Sequence, residues 1–371
     1  MNSRALFVLH YSPPIHGASK VGDSILNSSI INQELDTRFI KIKSSDNIDS
    51  IGKFNIKKLL YFFGLFFKVC WSLVFFRPNI IYYTASPFGF AFYRDLAISI
   101  PIKIYNFFLK QNLFYHYHAK GINEFVSQSK KNKKLTNFLL KGTNIILISK
   151  LMQSELEQVT SYKNIFYLNN GVDNLLTNYD FRSILTERKS NNKINILYLS
   201  NLFKEKGYDT VLELAKYFKE AGVKNIEFNF AGGWASTEDK QYFKEYVNTN
   251  KLENYVIYHG LVQGEEKKRL FSNATIFVFP SRYKKEVFPL SVLEALSYGL
   301  PVLGFNIGAV PEIINGKTGI ISNKELIFED VEKMISEFQS ESTFMRCREE
   351  YLNNYTVEVF EKNLLNILIT N

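Results

Sequence analysis

Two glutamates eight positions apart, Glu286 and Glu294, are the side chains best placed to act on one ligand. Glu286 lies in a predicted loop, and Glu294 lies one turn into a predicted helix that starts near Pro289. A loop carboxylate and a helix carboxylate at this spacing can point into one pocket, although isolated glutamate pairs mostly lie on solvated surface. The free N–H groups of residues 287–290, at the helix start, favour an anionic ligand between them. The apolar residues around both glutamates favour the pocket.

Glycine-rich segments are the next candidates, because glycine lets the backbone approach a phosphate. Residues 17–22 (GASKVG) have the spacing of a P-loop, but Asp23 follows where lysine is needed, which excludes that class. No G-x-G-x-x-G motif follows a predicted strand and no D-x-D motif occurs. These absences argue against a nicotinamide enzyme and against a metal-dependent nucleotide-sugar site of the D-x-D type. Glycines that follow predicted strands remain candidates to approach a ligand, with an ordinary turn as the alternative: Gly17, Gly232, Gly233, Gly260 and Gly308.

The histidines are concentrated in the first half of the chain, at positions 10, 16, 116 and 118. His116 and His118 alternate at a predicted strand end, so their side chains lie on one face. A His-x-His pair can bind a metal, but no fixed carboxylate or cysteine supplies a third ligand, and we expect no metal site. A buried or hydrogen-bonded histidine is the alternative for either position.

Short apolar runs separated by helix-like segments are typical of parallel sheets in doubly wound α/β domains. The runs fall at 5–10, 39–42, 79–84, 113–118, 144–148 and 165–168, and again at 194–200, 226–231, 255–259, 275–279 and 301–304. We therefore expect a first domain at 1–172, a linker at 173–192 and a second domain at 193–355. The amphipathic tail 356–371 is expected to pack back on the first domain. Two such domains usually face each other across a cleft that holds the active site.

Composition separates the two halves by charge. The chain has 371 residues, 46% apolar and 22% charged, which indicates a folded protein. Residues 1–170 contain 21 Lys and Arg against nine Asp and Glu, whereas the remainder contains 24 against 27. Only two cysteines occur, Cys70 and Cys347, which excludes a disulfide scaffold and a four-cysteine zinc site. Reduced thiols favour a cytoplasmic location.

The apolar segment 59–76 is near the lower length limit for a membrane span. Lys68 lies at its centre, and Arg77-Pro78 ends it. A buried helix, a helix dipping into a membrane surface and a true span are the three alternatives, and a span is the least favoured. Basic residues close to this segment and farther along the first half favour contact with anionic lipid: Lys53, Lys57, Lys58, Lys103, Lys110, Lys120, Lys130, Lys131, Lys133 and Lys134. Nucleic-acid binding is the alternative explanation for these basic residues, but the sequence contains no recognised nucleic-acid-binding motif.

Several of these segments resemble glycosyltransferase family 4, the retaining GT-B enzymes. Residues 279–312 resemble the family's donor-sugar motif, E-x7-E followed by E-A-x-x-x-G-x-P-V. SNLFKEKG at 200–207 resembles its diphosphate motif, and NNGVD at 169–173 resembles its linker signature. PPIHGASKVG at 13–22 resembles its N-terminal glycine loop. The resemblance implies a GT-B fold, in which two Rossmann-like domains bind the acceptor through the first and the nucleotide sugar through the second.

The resemblance also implies residue roles. Lys206 would contact the diphosphate, Glu286 the hydroxyls of the donor sugar and Glu294 those of the ribose. His118 would touch the reaction centre, so His118, Glu286 and Lys206 form the expected catalytic set. The remaining donor contacts would be Gly17, Asn201, Val262, Val287, Phe288, Pro289 and Leu290. Asn201 departs from the usual Arg, so phosphate neutralisation would rest on Lys206, with Lys204 or Lys20 as candidates to help.

Residues 92–95 (FYRD) resemble an acceptor-side element of polysaccharide-forming members. Asp95 could position or deprotonate an acceptor hydroxyl, and Arg94, His16 and His116 complete the expected acceptor side. A helix-capping ion pair is the alternative for Arg94 and Asp95.

The function expected is transfer of a sugar with retention, without metal or other cofactor, from a nucleotide-diphosphate sugar. The acceptor would be a saccharide or lipid-linked saccharide in capsule, O-antigen, lipopolysaccharide or related glycan synthesis. The enzyme would be cytoplasmic and peripheral on the inner face of the cytoplasmic membrane, with no nucleic-acid partner. A nucleotide-sugar epimerase and a non-catalytic, membrane-associated nucleotide-sugar binding protein are the alternatives.

Overall fold

The computed structural model describes residues 3–13, 17–43 and 56–370, with side chains from residue 59 onward in the last range. The chain divides into two compact units. Unit 1 comprises Met1–Gly171 and Val357–Asn371, and unit 2 comprises Val172–Thr356.

Unit 1 contains a six-stranded parallel sheet in the order β2-β1-β3-β4-β5-β6. The strands are β1 Ser3–Leu9, β2 Leu35–Lys41, β3 Ile80–Ala85, β4 Asn112–Tyr117, β5 Asn144–Leu147 and β6 Asn164–Tyr167. The helices are α1 Gly17–Asn27, α2 Ser29–Glu34, α3 Ile56–Trp71, α4 Gly89–Leu109, α5 Ile122–Ser127, α6 Lys130–Leu140 and the C-terminal α15 Val357–Ile369, with a 3₁₀ helix at Lys150–Leu156. Helices cover both faces of such a sheet, which explains why β1 and β3 are almost wholly apolar and buried.

Unit 2 contains a second six-stranded parallel sheet in the order β12-β11-β10-β7-β8-β9. The strands are β7 Ile194–Leu199, β8 Ile226–Ala231, β9 Val256–Tyr258, β10 Ile276–Phe279, β11 Val302–Phe305 and β12 Gly319–Ser322. The helices are α7 Asn178–Ser190, α8 Tyr208–Glu220, α9 Thr237–Thr249, α10 Gly264–Asn273, α11 Leu290–Ser297, α12 Val310–Ile313, α13 Ile327–Glu337 and α14 Glu341–Asn354, with a 3₁₀ turn at Lys204–Lys206.

The α/β fold with two doubly wound parallel sheets is confirmed, and the predicted strands match observed ones with small shifts of their ends. Strand β2 begins at Leu35 rather than at residue 39, because three consecutive polar residues at 36–38 interrupt the apolar run. Strand β12 was not predicted, because only Ile320 and Ile321 of its four residues are large and apolar, and a run of two does not stand out from a loop.

The interval 173–192, expected to be a linker, differs from that expectation because it contains helix α7. A capping box between Thr177 and Asp180 starts the helix. Its buried Arg188 donates hydrogen bonds to the carbonyl oxygens of Phe271, Ser272 and Tyr298. These bonds satisfy carbonyls near the ends of α10 and α11, so α7 is an integral part of unit 2.

The apolar segment Leu59–Phe76 forms most of α3 and a following π-helical stretch, Ser72–Phe76. By length and composition alone it could cross a membrane, and only 22% of it is buried. Leu65, Val69, Ser72 and Leu73 form a narrow buried stripe, so the alternative of a buried core helix is wrong. The flanking strands β2 and β3 both pair with β1. The two ends of the segment are therefore tied to one sheet, which is incompatible with a crossing.

Candidate active site

The turn that carries Lys206 lies at the carboxyl end of β7. It is a 3₁₀ turn, and Gly207 closes it with a φ of 87° before α8 begins. A Cβ atom at Gly207 would lie 2.2 Å from the carbonyl oxygen of Pro280. Only glycine accepts both this backbone angle and this close approach. The turn is consequently held against the loop that follows β10.

Lys206 and Glu286, eighty positions apart, form a hydrogen-bonded ion pair between these two loops. Their side chains are 15% and 9% exposed, so solvent screens the pair only weakly. The Lys206 ammonium lies 5.2 Å from the centre of the Tyr283 ring. Glu286 also accepts a hydrogen bond from Ser281 Oγ at 3.4 Å. The arrangement offers one fixed cation and one fixed carboxylate to a ligand.

Arg282 clamps the loop after β10 to the start of α8. Its guanidinium donates to both carboxylate oxygens of Asp209 at 2.8 Å and to Thr210 Oγ1 at 2.6 Å. Its backbone N–H donates to the carbonyl of Glu205 at 2.6 Å. Sequence reasoning missed Arg282, because no short-range pattern connects it to residues more than seventy positions away. Arg282 therefore fixes the position of the loop after β10 relative to the turn that carries Lys206.

The loop from Glu286 to Pro289 leads into α11 and is pinned from the other side by the turn after β11. Gly308 has a φ of 55°, and a Cβ there would lie 2.7 Å from the Val287 carbonyl oxygen. Val287, Phe288 and Pro289 are buried. Pro289 is the N-cap residue of α11, and no side chain caps the first turn. The N-terminal amides of α11 therefore suit an anionic group.

Glu294, in the second turn of α11, pairs with Lys267 of α10 at 2.7 Å. Sequence reasoning missed Lys267, although the charged run 265–269 of α10 is a visible signal. Burial and the Glu294 carboxylate raise the pKa of Tyr298 to about 12. Glu286 and Glu294 thus each have a lysine as partner.

The other donor contacts expected in unit 2 lie close to strand ends. Asn201 follows β7 and is exposed, Val262 follows β9 and is buried, and Leu290 is the half-buried first residue of α11. The unit 2 residues expected from the sequence thus lie on three separate segments: the turn between β7 and α8, the loop after β9, and the loop that leads into α11 with the first turns of that helix.

In unit 1, Gly17 is the exposed first residue of α1. His16 lies outside the described residues. Asp23 accepts hydrogen bonds from the backbone N–H and the hydroxyl of Ser12, at 3.0 and 2.5 Å. The residue that excluded a P-loop therefore closes the turn between β1 and α1. A Cβ at Gly22 would lie 1.7 Å from the carbonyl oxygen of His10, so α1 packs directly on the end of β1.

His116 and His118 lie at the end of β4 with their ring centres 4.0 Å apart. His116 is fully buried, and its Nδ1 is 2.5 Å from the hydroxyl oxygen of Tyr82. Burial, followed by the proximity of His118, holds the pKa of His116 well below its usual value. His118 is half-buried, just after the strand. The buried, hydrogen-bonded alternative therefore describes His116. Within the described ranges, no three His, Cys, Asp or Glu side chains form a metal-binding group.

Asp95 is buried in α4, and its carboxylate is fully engaged. One oxygen accepts hydrogen bonds from Tyr83 at 2.6 Å and from Arg94 at 2.8 Å, and the other accepts from the backbone N–H of Ser86 at 2.8 Å. Burial and the Asp95 charge raise the pKa of Tyr83 well above its usual value. The geometry matches the ion-pair alternative and fixes the loop between β3 and α4.

Residues 182–350 match the family described as glycosyl transferases group 1. An uncharacterized 41.2 kDa protein in the cps region of Klebsiella pneumoniae is 32% identical over 173 residues, 46% of this chain and 43% of that protein. Alpha-galactosylglucosyldiacylglycerol synthase of Streptococcus pneumoniae is 26% identical over 181 residues, 48% of this chain and 45% of that protein. The match thus spans less than half the length of each of these two relatives.

Solved structures extend the likeness of fold to the whole chain. A glycosyltransferase of Rickettsia africae has a TM-score of 0.71 at 15% identity and covers 99% of this chain and 98% of its own. Anabaena HepE in complex with UDP has a TM-score of 0.70 at 15% identity and covers both chains completely. The fold is the GT-B fold. The likeness to the glycosyl transferases group 1 family is thus one of sequence over residues 182–350, and the likeness to solved glycosyltransferases is one of fold over the whole chain.

Proposed function

We propose that this protein transfers a sugar from a nucleotide-diphosphate sugar, with retention of configuration, to a saccharide or lipid-linked saccharide acceptor. The observation that carries the proposal is the buried ion pair between Lys206 and Glu286, four positions before the uncapped start of α11. A cation, a carboxylate and free amides are the groups that a sugar diphosphate requires from a protein. Glu294 adds a second carboxylate one turn into the same helix.

Each group has a proposed role. Lys206 and the amides at the start of α11 bind the diphosphate, and Glu286 accepts hydrogen bonds from hydroxyls of the donor sugar. Glu294 accepts hydrogen bonds from the ribose hydroxyls. In the free protein each carboxylate pairs with a lysine, so the donor replaces or shares these contacts. His118, assigned by resemblance, acts at the reaction centre, and Gly17 leaves room for the phosphates.

The chemical step requires neither metal nor covalent nucleophile. The acceptor hydroxyl oxygen bonds to the anomeric carbon on the face from which the diphosphate leaves. The bond from that carbon to the phosphate oxygen breaks, and its electron pair stays on the leaving phosphate. That phosphate takes the proton of the acceptor hydroxyl. Lys206 stabilises the negative charge that develops there, which is the largest contribution that a protein makes to such a step.

The relatives supply the proposed substrate classes. One lies in a cps region and another is named for a glycosyl diacylglycerol product, which supports surface-glycan or glycolipid synthesis. HepE was solved with UDP, and another structure of it contains UDP-glucose, which makes UDP sugars the first donors to test. A lipid-linked acceptor places the enzyme at the inner face of the cytoplasmic membrane. Nucleic acid is not proposed as a partner.

A transfer assay with variants tests this function. Purified protein is incubated with UDP-glucose and other UDP and GDP sugars, with and without acceptor glycolipid, and nucleotide release is measured. We expect Glu286→Gln and Lys206→Ala each to lower turnover by about a hundredfold or more. Lys206→Ala should also reduce the thermal shift that the donor produces. Product NMR establishes the anomeric configuration.

The matched control is the pair Lys193–Glu227, at the amino ends of β7 and β8. Lys193→Ala and Glu227→Gln should leave turnover unchanged, because that end of the sheet is remote from the loops described above. Full activity of Glu286→Gln would contradict the site. Isomerisation of the donor without acceptor would indicate an epimerase, and donor binding without turnover would indicate a binding protein. Loss of activity with a chelator, restored by a divalent cation, would contradict the metal-free step.

A further inference from the structure

Helix α3 and its π-helical end present an apolar stripe to solvent. Its exposed members recur every three or four positions, at Leu60, Phe63, Phe67, Trp71, Val74 and Phe75. Phe67, Trp71 and Phe75 are 66%, 62% and 61% exposed. The buried stripe on the opposite side is narrow, so most of this apolar surface is unused by the fold. A soluble monomer rarely leaves so large an aromatic patch open without a partner.

Helix α4 continues the apolar surface. It packs against α3, and its own exposed apolar residues recur at the same helical spacing: Phe90, Tyr93, Ile100, Ile104, Phe107 and Phe108. Both helices are crossovers that run in the same direction across the sheet, from β2 to β3 and from β3 to β4. Right-handed crossovers place such helices on one face of the sheet. The two stripes therefore belong to one outward surface, which we term the aromatic face.

Positive charge surrounds the aromatic face. Lys68 and Arg77 on the α3 segment and Lys110 at the end of α4 are exposed. Helix α6 packs against α4 and exposes Lys130, Lys131, Lys133 and Lys134. Residues 59–141 contain eleven Lys and Arg but only two acidic residues, Asp95 and Glu124. Asp95 is buried against Arg94. This segment therefore carries a strong positive charge.

We propose that the aromatic face docks unit 1 on an anionic lipid bilayer, with α3 and α4 lying in the interface and not crossing it. The inference rests on the proposed function for its biological purpose, access to a lipid-linked acceptor. Apolar stripes enter the boundary between headgroups and acyl chains, while lysines and arginines contact anionic headgroups. A second copy of this chain is disfavoured as the occupant, because it would bring the same positive charge to the contact.

Trp71 makes the docking measurable. The chain has two tryptophans, so Trp234→Phe leaves Trp71 as the sole reporter within the aromatic face. Vesicles of phosphatidylcholine, with or without phosphatidylglycerol, are added to the full chain, and Trp71 emission is recorded. We expect a blue shift with the anionic vesicles and quenching by lipids brominated near the headgroup. Stronger quenching by deeply brominated lipids, or no shift at all, would overturn the proposal.

Vesicle co-sedimentation tests which residues are responsible. Phe67→Ser, Trp71→Ser and Phe75→Ser together should lower binding at least tenfold, because the removed side chains are exposed and contribute little to the core. In the double variant Lys68→Glu/Lys110→Glu, each substitution should weaken binding to anionic vesicles by about fivefold or more. The matched control replaces three exposed apolar residues of unit 2, Tyr179, Leu326 and Met345, by serine and should bind normally. Equal binding by the aromatic triple variant and the control would contradict the proposal.

Two further readouts separate this inference from the proposed function. The triple variant should bind the donor as well as wild type does, as measured by thermal shift. Transfer by wild type without any vesicle binding would overturn docking alone, and vesicle binding without transfer would overturn the proposed function alone. Light scattering tests whether a second copy of the chain covers the aromatic face instead. If wild type is a dimer, the triple variant is a monomer and wild type does not bind vesicles, the aromatic face is a dimer interface and the lipid proposal is wrong.

Discussion

At the scale of residues, the candidate site holds its charges in pairs. Lys206 neutralises Glu286, and Lys267 neutralises Glu294, in each case from a different segment of unit 2. A partly buried charge without a partner is costly, and the paired lysine satisfies each carboxylate. The ion pairs fix the orientation of both carboxylates, which suits a ligand with hydroxyl groups.

The buried His116 predicts a dependence of stability on pH. Its pKa is lower in the folded protein than in the unfolded chain, where it is about 6.5. Below that pH the unfolded chain binds a proton that the folded chain refuses. The free energy of unfolding should therefore be independent of this group above pH 6.5 and fall as the pH drops from 6.5 towards 5. The slope would be at most about 1.4 kcal/mol per pH unit.

Urea unfolding at several pH values measures this slope in wild type and in His116→Gln. Glutamine keeps a hydrogen-bond acceptor for Tyr82 but does not titrate, so the variant should show a shallower slope. Some slope will remain, because burial also lowers the pKa of His259. Parallel pH profiles for the two proteins would show that His116 is not responsible.

At the scale of elements, two loops of unit 2 position each other. The turn before α8 carries Lys206, and the loop after β10 carries Glu286. Gly207 touches the carbonyl of Pro280, and Arg282 bonds back to Asp209. Neither loop is part of a strand or an α-helix, so these contacts determine where the cation and the carboxylate meet.

Gly207→Ala should disturb both stability and the site. A left-handed alanine costs about 1–2 kcal/mol, and its Cβ would also collide with a backbone oxygen 2.2 Å away. We expect the free energy of unfolding to fall by about 2 kcal/mol or more and donor affinity to fall with it. Thermal unfolding and a donor thermal shift measure the two effects.

Gly222→Ala is the control for the backbone angle alone. Its φ is 76°, similar to that of Gly207, but nothing lies within 4 Å of the added Cβ. It should cost only about 1–2 kcal/mol and leave donor affinity unchanged. If both variants lose the same stability, the contact with Pro280 contributes nothing.

At the scale of the whole molecule, the chain builds unit 1 from both of its ends. Helix α15 follows the last residue of unit 2, yet its Phe360, Leu364, Leu365 and Leu368 belong to the core around β1, β3 and β4. Unit 1 is therefore completed only when the C-terminus is present. The excess of basic residues and the aromatic face also belong to this unit, so the proposed lipid contact and the proposed donor-binding residues of unit 2 lie in different units.

Leu364→Ala should consequently destabilise unit 1 selectively. A fully buried leucine truncated to alanine costs about 2–5 kcal/mol, and Leu364 has no exposed surface. Hydrogen exchange followed by mass spectrometry should show faster exchange in β1, β3 and β4 but not in the strands of unit 2. Ile369→Ala, in the same helix but 53% exposed, is the control. It should change neither the stability nor the hydrogen-exchange rates of unit 1. Faster exchange confined to unit 2 would contradict the assignment of α15.

Much of the fold was predictable because it depends on local pattern. Apolar runs bounded by polar segments identified eleven of the twelve strands in the described residues, and the missed β12 has only two large apolar residues. Glu286 and Glu294 were predicted as site residues from their spacing, and Lys206 from the resemblance of its segment to a family motif. Arg282 and Lys267 were not, because their partners lie on other elements and no local signal connects them.

The sequence by itself determined which segments become strands and helices, because side-chain periodicity and turn residues act over a few positions. Only the tertiary structure decided which surfaces those elements cover. Composition cannot distinguish a buried aromatic helix from an exposed one, and the sheet order leaves the stripe of α3 open. Asp95 was predicted as an acceptor-side residue or an ion-pair partner, and Asp23 only excluded a P-loop, but the fold uses both carboxylates to close loops. Burial and pairing depend on neighbours distant in the chain, and the packing within each unit decides which neighbours meet.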